Sequence, residues 1–163
     1  MKVESLLPLV ERKWSRLTDG RGVRSLFGKY RHSVDPKGRL FVPSKLREEL
    51  GDAFYVTLGL DHCLSVYTQQ GWDAIVEKYN ALPISAARKI RYVFANACRC
   101  EPDKQGRFMI PADLRKYAGL KQEVIFIGQA GRAEIWDSEA YDRLEAETMT
   151  PEALAEAMEE LGF

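Results

Sequence analysis

The chain contains the same segment twice. Residues 35–47 align without a gap on residues 103–115, and Asp, Gly, Arg, Pro, Leu and Arg coincide in the two copies. After one inserted residue in the second copy, residues 56–59 align on residues 125–128. Because a unit of roughly 45 residues buries too little apolar surface to be stable alone, the two copies are expected to share one core.

The repeated segment begins with the pattern of a tight turn. Asp35, Pro36 and Gly38 stand at positions that a type I β-turn favours, and the glycine is free to adopt a positive φ. The second copy has Asp103 and Gly106 at the equivalent places. Each copy is therefore predicted to contain a hairpin turn at this point.

A short strand and a short helix are predicted after each turn. Leu40, Phe41 and Val42 are consecutive apolar residues, and Pro43 can occupy the first position of a helix that Gly51 ends. The second copy follows the same path. Further elements are expected in pairs: strands at 54–58, 63–67, 123–127 and 132–136, and helices that begin after the N-caps Thr68 and Asp137.

This pattern divides the chain into five segments and predicts an α+β fold, mainly β, with one barrel-like body. The segments are an N-terminal extension at 1–25, a first repeat with its helix at 26–82, a linker helix at 83–95, a second repeat with its helix at 96–148, and an acidic C-terminal helix at 149–163. The linker is expected to be packed rather than flexible, because it contains the apolar residues Ile84, Ile90, Val93 and Phe94.

The charges balance over the whole chain but not locally. Lys and Arg together number 24, as do Asp and Glu. Residues 1–50 hold twelve basic and six acidic side chains, whereas residues 132–163 hold two basic and ten acidic ones. Such a polarised molecule can attract an anionic partner to one face.

The composition argues against several classes of protein. The apolar runs are far too short to cross a bilayer, so we expect a cytoplasmic protein without a membrane partner. Its three cysteines, Cys63, Cys98 and Cys100, are too few for a disulfide scaffold. Cys98 and Cys100 with His32 and His62 make a zinc site conceivable, but small core residues are the favoured interpretation, and we expect no metal or cofactor.

An enzyme is the main alternative from another class. The sequence has no glycine-rich phosphate loop and no nucleophile motif with an accompanying histidine. His32 and His62 are the only candidates for a base at neutral pH. We therefore expect neither catalysis nor a small-molecule substrate.

The repeated turns concentrate the positive charge. The first copy has four cations within eleven residues and the second has three within nine; they are Lys29, Arg31, Lys37 and Arg39, and Arg99, Lys104 and Arg107. A pseudo-twofold pairing of the copies would place Arg39 and Arg107 on the same side of the molecule. Two such arginine fingers could grip phosphates and read guanine edges.

A purely structural role for these residues remains open at this level. Arg39 could form an ion pair with Asp35 across the turn, and Arg107 with Asp103. Duplication alone also explains why the same residues occur twice. An oligomeric scaffold and a non-specific nucleic-acid-binding protein are further alternatives.

The motifs resemble those of the MraZ family of bacterial regulators. The resemblance covers about residues 26–148 and lies in both Asp-x-x-Gly-Arg turns, the Pro-x-x-Leu-Arg segments that follow them, the stretch from Phe27, and the segment from Phe94 to Cys98. It implies two SpoVT/AbrB-like domains that together form a pseudo-twofold, swapped-hairpin β-barrel.

The resemblance also implies a function. Family members bind short direct repeats in promoter DNA, usually as repressors, within a ring-like oligomer, and they act on the division and cell wall gene cluster. The family's Asp-x-x-x-Arg signature for DNA binding matches Asp35 with Arg39 and Asp103 with Arg107. The other cations named above rank after these two arginines, with Lys37 and Lys104 ahead of Lys29, Arg31 and Arg99. The resemblance also implies a location in the cytoplasm, in association with the nucleoid.

The extension departs from the family pattern. It carries six positive and three negative side chains, with Val10, Trp14 and Leu17 at helical spacing. Two interpretations are open: an additional arm for DNA or a partner, or a start codon assigned too early, with Val23 or Leu26 as the true start. The second is slightly favoured.

Overall fold

A computed structural model describes residues 25–163 of the chain, so the expectations for residues 1–24 lie outside the described part. The described residues form eight strands: β1 Leu26–Ser33, β2 Arg39–Phe41, β3 Phe54–Leu58, β4 Leu64–Thr68, β5 Cys98–Cys100, β6 Arg107–Met109, β7 Glu123–Ala130 and β8 Ala133–Asp137. They also form six helices: α1 Ser44–Leu50, α2 Gln69–Asn80, α3 Ile84–Ala95, α4 Ala112–Tyr117, α5 Ser138–Thr148 and α6 Pro151–Glu160.

The strands form two antiparallel sheets that follow the duplication. The larger has the order β1-β7-β8-β4-β3-β5, and the smaller is the pair β2-β6. When each strand is replaced by its counterpart in the other repeat, the order of the larger sheet becomes β5-β3-β4-β8-β7-β1. This is the original order read from the opposite edge, so the larger sheet has pseudo-twofold symmetry. Ser65 lies opposite Glu134 at the centre of the larger sheet, and Leu40 lies opposite Phe108 at the centre of the smaller one.

Each repeat completes its sheet with a strand from the other. β1 of the first repeat pairs with β7 of the second, and β5 of the second repeat pairs with β3 of the first. Neither repeat could satisfy these backbone groups alone, so the two copies form one body. The α+β prediction is confirmed. Closure of the two sheets into a swapped-hairpin barrel is not confirmed, and it stays a prediction together with the division into domains.

The structure corrects the sequence alignment of β3 and β7 by one residue. Phe54 pairs with Thr68, whereas Val124, not Glu123, pairs with Asp137. Thr68 and Asp137 are equivalent, since each caps the following helix with its side chain, as predicted. A shift of one residue exchanges the faces of a strand, and packing places Val124 in the core position of Phe54.

The larger sheet is covered on both faces. On one face, the inner side chains of β2 and β6 and the short helices α1 and α4 enclose the main core; Phe108 stacks edge-on against Phe54, with ring centroids 5.0 Å apart. On the other face α5 covers Ile125 and Trp136, and α2 places Trp72 parallel to Tyr55 at 4.8 Å. The small sheet thus packs on the larger sheet through the main core.

Two helix starts and one apolar residue differ from expectation. Pro43 and Pro111 are N-caps with extended ψ angles, so α1 and α4 begin one residue later than predicted. In α3, Val93 and Phe94 are half-buried as expected, but Ile84 is 75% exposed because it lies on the outer face of the helix. None of the described helices is long and apolar enough to cross a membrane.

Candidate nucleic-acid interface

The first repeated turn is held by a single carboxylate. Asp35 Oδ1 accepts hydrogen bonds from the backbone N–H groups of Lys37 and Arg39, and its Oδ2 accepts one from Arg39 Nε at 2.6 Å. The turn closes through the N–H of Gly38, which donates to the Asp35 carbonyl oxygen while the glycine adopts a φ of 81°. The side chain of Asp35 therefore shapes the backbone and orients the arginine at once.

The second turn repeats this geometry with different intervening residues. Asp103 accepts from the N–H groups of Gln105 and Arg107 and from Arg107 Nε at 3.0 Å. Gly106 also has a φ of 81°. Pro36 and Lys37 are replaced here by Lys104 and Gln105, yet the hydrogen bonds are the same. The hydrogen bonds within the turn thus do not require the proline and lysine of the first copy.

The hydrogen bonds also set the charge state of the two aspartates. The pKa of Asp35 lies below its ordinary value, mainly because the N–H of Arg39 donates to the carboxylate, with desolvation opposing the shift. The pKa of Asp103 is lowered in the same way by the N–H of Arg107. Both carboxylates are therefore ionised throughout the neutral range, and both keep the arginine fixed.

The pairing of β2 with β6 places both arginines on the outward face of the small sheet, where both side chains are half-buried. Arg39 lies opposite Met109, and Phe41 lies opposite Arg107. Alternate residues point to the same side of a strand, and Leu40 and Phe108 are the buried ones. We call this two-stranded element, with its outward side chains Arg39, Phe41, Arg107 and Met109, the arginine ribbon. The two arginines lie on its diagonal, about 7–8 Å apart at their Cα atoms.

The ion pairs that offered a structural explanation are both present. They use only Nε of each guanidinium, and among residues 25–163 the Nη atoms of Arg39 and Arg107 have no hydrogen-bond partner. An arginine held at Nε presents its remaining N–H groups as a fixed fork. The ion pair and a binding role are therefore compatible, since the first orients the group that the second needs.

Two further arginines, which were not among the predicted site residues, support the turns. Arg47 of the first repeat lies against Gly106 of the second, and Arg115 of the second lies against Gly38 of the first. Each also donates from Nε to a backbone carbonyl at the end of its own strand segment, Val42 for Arg47 and Ile110 for Arg115. The sequence signal that could have identified Arg47 and Arg115 is their occurrence at the same position of both Pro-x-x-Leu-Arg segments.

The other predicted cations divide into two groups. Lys37 and Lys104 are exposed at the tips of the turns, and neither has an ion-pair partner within the described residues. Lys29 and Arg31 lie on β1 instead, where Glu145 and Asp142 of α5 neutralise them at 3.0 and 2.7 Å. The structure thus brings the lysines to the turns but ties the β1 cations to a neighbouring acidic helix.

Arg99 belongs to neither of these groups, because it is ion-paired but lies near a turn. It forms an ion pair with Glu101, and both residues line a cleft of about 580 Å³ beside the second turn. Arg47 and Lys104 line the same cleft. Arg99 is therefore near the second turn, whereas its counterpart Arg31 forms an ion pair with Asp142 of α5.

The cysteines and histidines do not assemble into a metal centre in the described residues. Cys98 and Cys100 have their sulfur atoms 3.9 Å apart, but no group of three potential ligand side chains occurs within residues 25–163. Burial raises the pKa of Cys100 and lowers that of His32. Cys63 is buried and donates to Glu134. Cys63 and Cys100 are therefore parts of the core, whereas His62 is exposed.

Fold and site together define a class of protein: a duplicated α+β protein whose repeats exchange strands and whose paired turns expose an arginine ribbon. Comparison with known families agrees with this description. The family model "MraZ protein, putative antitoxin-like" matches residues 26–91 and 93–161, one match to each repeat. The chain belongs to the MraZ family.

Curated relatives cover almost the same length. A protein of Caldicellulosiruptor saccharolyticus named transcriptional regulator MraZ is 49% identical over 142 residues, which is 85% of this chain and 99% of the relative. Proteins of the same name from Alkaliphilus metalliredigens and Halothermothrix orenii are 46% and 45% identical over 140 residues, each covering 83% of this chain and 98% of the relative.

Proposed function

We propose that this protein is a DNA-binding transcriptional regulator that recognises short direct repeats in a promoter and represses the division and cell wall gene cluster. The names of the curated relatives support regulation of transcription. The arginine ribbon supports DNA as the ligand. Such a protein acts in the cytoplasm, at the nucleoid.

The observation that carries the proposal is the pair of oriented guanidinium groups on one ribbon. A two-stranded antiparallel ribbon fits the major groove of B-DNA, which is about 12 Å wide. A guanidinium fork matches the O6 and N7 acceptors of guanine, and nearby lysines can contact phosphates as point charges. Arg39 and Arg107 provide the forks, and Lys37 and Lys104 provide the flanking charges.

Specific binding can be tested with three ligands of equal length: promoter DNA from upstream of the protein's own gene, a scrambled duplex, and a single strand. Gel shifts at two salt concentrations should show the promoter duplex bound tightest at both. Equal affinity for all three ligands, with a steep loss at the higher salt, would leave only a non-specific electrostatic surface. Footprinting on the promoter then identifies the direct repeats, and a reporter fused to it distinguishes repression from activation.

We also propose that copies of the chain associate head to tail into a ring through α6. Its residues are exposed along its whole length, and Leu154, Met158 and Leu161 form an apolar stripe at helical spacing. On α3, Ile84 and Tyr92 are also large, exposed apolar side chains. Contact between two different surfaces can close into a ring, which multiplies weak DNA contacts over tandem repeats.

Charge complementarity selects α3 of a second copy as the partner of α6. The acidic side chains of α6 are Glu152, Glu156, Glu159 and Glu160, and the basic side chains of α3 are Arg88, Lys89 and Arg91. Met158→Asp and Ile84→Asp should each reduce the mass measured by light scattering to that of a smaller species. Leu60→Asp is the control, because Leu60 is as exposed as Ile84 and lies on neither helix. An unchanged mass in both helix variants would contradict this interface.

A further inference from the structure

The arginine ribbon exposes two large apolar side chains between its cations. Phe41 and Met109 are 43% and 57% exposed, whereas Leu40 and Phe108, their neighbours on the same two strands, are almost fully buried. The three consecutive apolar residues at 40–42 gave no indication of this, because alternation along the strand turns Phe41 outward. Single exposed apolar residues are common on protein surfaces, so exposure alone carries no conclusion.

Their placement is more informative than their exposure. Phe41 pairs with Arg107 and Met109 pairs with Arg39, so the apolar residues occupy one diagonal of the ribbon and the arginines occupy the other. The pseudo-twofold relation makes Phe41 and Met109 equivalent. The two repeats thus contain different residues at this position, but both are large and apolar. Duplication of an identical residue therefore does not account for the apolar character that positions 41 and 109 share.

The chemistry of the major groove offers one apolar group to such a surface. Each thymine exposes its C5 methyl group there, while the other base edges expose hydrogen-bond donors and acceptors. Apolar side chains within about 8 Å of a guanine-reading arginine are therefore within reach of the methyl group of a nearby base pair. Phosphates would give no benefit to Phe41 or Met109, because they are charged and strongly hydrated.

We propose that Phe41 and Met109 are specificity-determining residues that contact thymine methyl groups, while Arg39 and Arg107 read guanine. This inference rests on the proposed DNA-binding function and names the bases that the same site recognises. Each repeat then reads a guanine and a thymine through alternate residues of one short strand. The phenylalanine is rigid and the methionine is flexible, so the contact of the first repeat tolerates less variation in position.

The test removes only the methyl groups. In the promoter duplex that the wild-type protein binds, each thymine is replaced in turn by deoxyuridine, and affinities are measured by fluorescence anisotropy. Replacement at a contacted position should weaken binding about fourfold, as expected for one buried methyl-sized group. The same replacement should have no effect on Phe41→Ala at the position read by the first repeat, or on Met109→Ala at the position read by the second.

Two further variants keep the result interpretable. Phe27→Ala removes a phenylalanine that is 73% exposed on β1, outside the ribbon, and should retain the full sensitivity to deoxyuridine. Phe41→Leu keeps an apolar contact and should retain most of it, while Tm values confirm that every variant is folded. Specific binding that no deoxyuridine replacement weakens, or equal sensitivity in Phe41→Ala and wild type, would overturn this inference alone. Absence of specific binding by the wild type would instead contradict the proposed function.

Discussion

Arg47 Nη2 donates a hydrogen bond across the repeat boundary to the carbonyl oxygen of Gln105, at 3.4 Å. The guanidinium group thus lies against the second turn, although Arg47 belongs to the helix that follows the first. Arg115 lies against Gly38 in the reciprocal position. The two turns are therefore braced by one another's repeats, which couples their orientation to the association of the two copies.

Glycine at position 106 is required by both conformation and this close approach. Gly106→Ala is expected to destabilise the protein by about 1–2 kcal/mol from the positive φ alone, with an added cost because the new Cβ would collide with the Arg47 guanidinium. Gly38→Ala has the same φ, but its Cβ would lie 3.0 Å from Arg115 Cζ, so it should cost less. Urea denaturation measures both values.

A double-mutant cycle separates the two causes. In an Arg47→Ala background, Gly106→Ala should lose the part of its cost that comes from the collision and keep the part that comes from φ. Gly131→Ala is a neutral control, because nothing lies within 4 Å of its Cβ and its φ is not positive. Equal costs in both backgrounds would show that Arg47 does not constrain Gly106.

Arg39→Ala should weaken binding of the promoter duplex about five- to 150-fold, which corresponds to about 1–3 kcal/mol for an arginine–guanine contact. The Tm should change little, because Asp35 keeps its hydrogen bonds from the backbone N–H groups of Lys37 and Arg39 when the arginine side chain is removed. Arg107→Ala should act in the same direction, with a smaller loss. Arg143→Ala, which removes an exposed arginine from α5, is the control for charge. Global unfolding of Arg39→Ala would instead favour a purely structural ion pair.

Arg31→Ala should behave differently from Arg39→Ala. Asp142 already neutralises Arg31, so its removal is expected to change the affinity for DNA by less than about twofold and to leave the salt dependence unaltered. Asp142→Asn releases Arg31 and should raise affinity for the scrambled duplex more than for the promoter. Gel shifts at several salt concentrations compare the three proteins. A loss as large as that of Arg39→Ala would move Arg31 into the DNA contact.

Acid should remove the contribution of the turn aspartates to stability. Their pKa values are lowered in the folded protein, so the unfolded chain binds more protons between the folded and the ordinary pKa. The stabilisation is therefore complete above the ordinary aspartate pKa of about 4 and is lost as the pH falls through the lower folded value. Denaturation of wild type and of the Asp35→Asn, Asp103→Asn double variant from pH 7 to pH 2 should give stabilities that converge in acid. A constant difference would contradict the assignment.

Features that depend on neighbouring residues could be predicted from the sequence. The aspartate, glycine and arginine of each turn lie within five positions, so their hydrogen bonds form inside the segment that encodes them. The N-caps Thr68 and Asp137 were predicted for the same reason, because each side chain caps a backbone N–H three residues later. The duplication itself needed no structure.

Features that depend on distant residues could not be predicted in this way. The register of β7 differs by one residue from the best sequence alignment, because burial of Val124 rather than residue identity determines which face turns inward. The pairing of Lys29 with Glu145 joins residues more than a hundred positions apart. The outward faces of Phe41 and Met109 likewise follow from the pairing of β2 with β6. Local hydrogen bonds are encoded within a few residues, whereas strand exchange, register and cross-bracing arise only when the whole core packs and selects one arrangement from many that the local sequence permits.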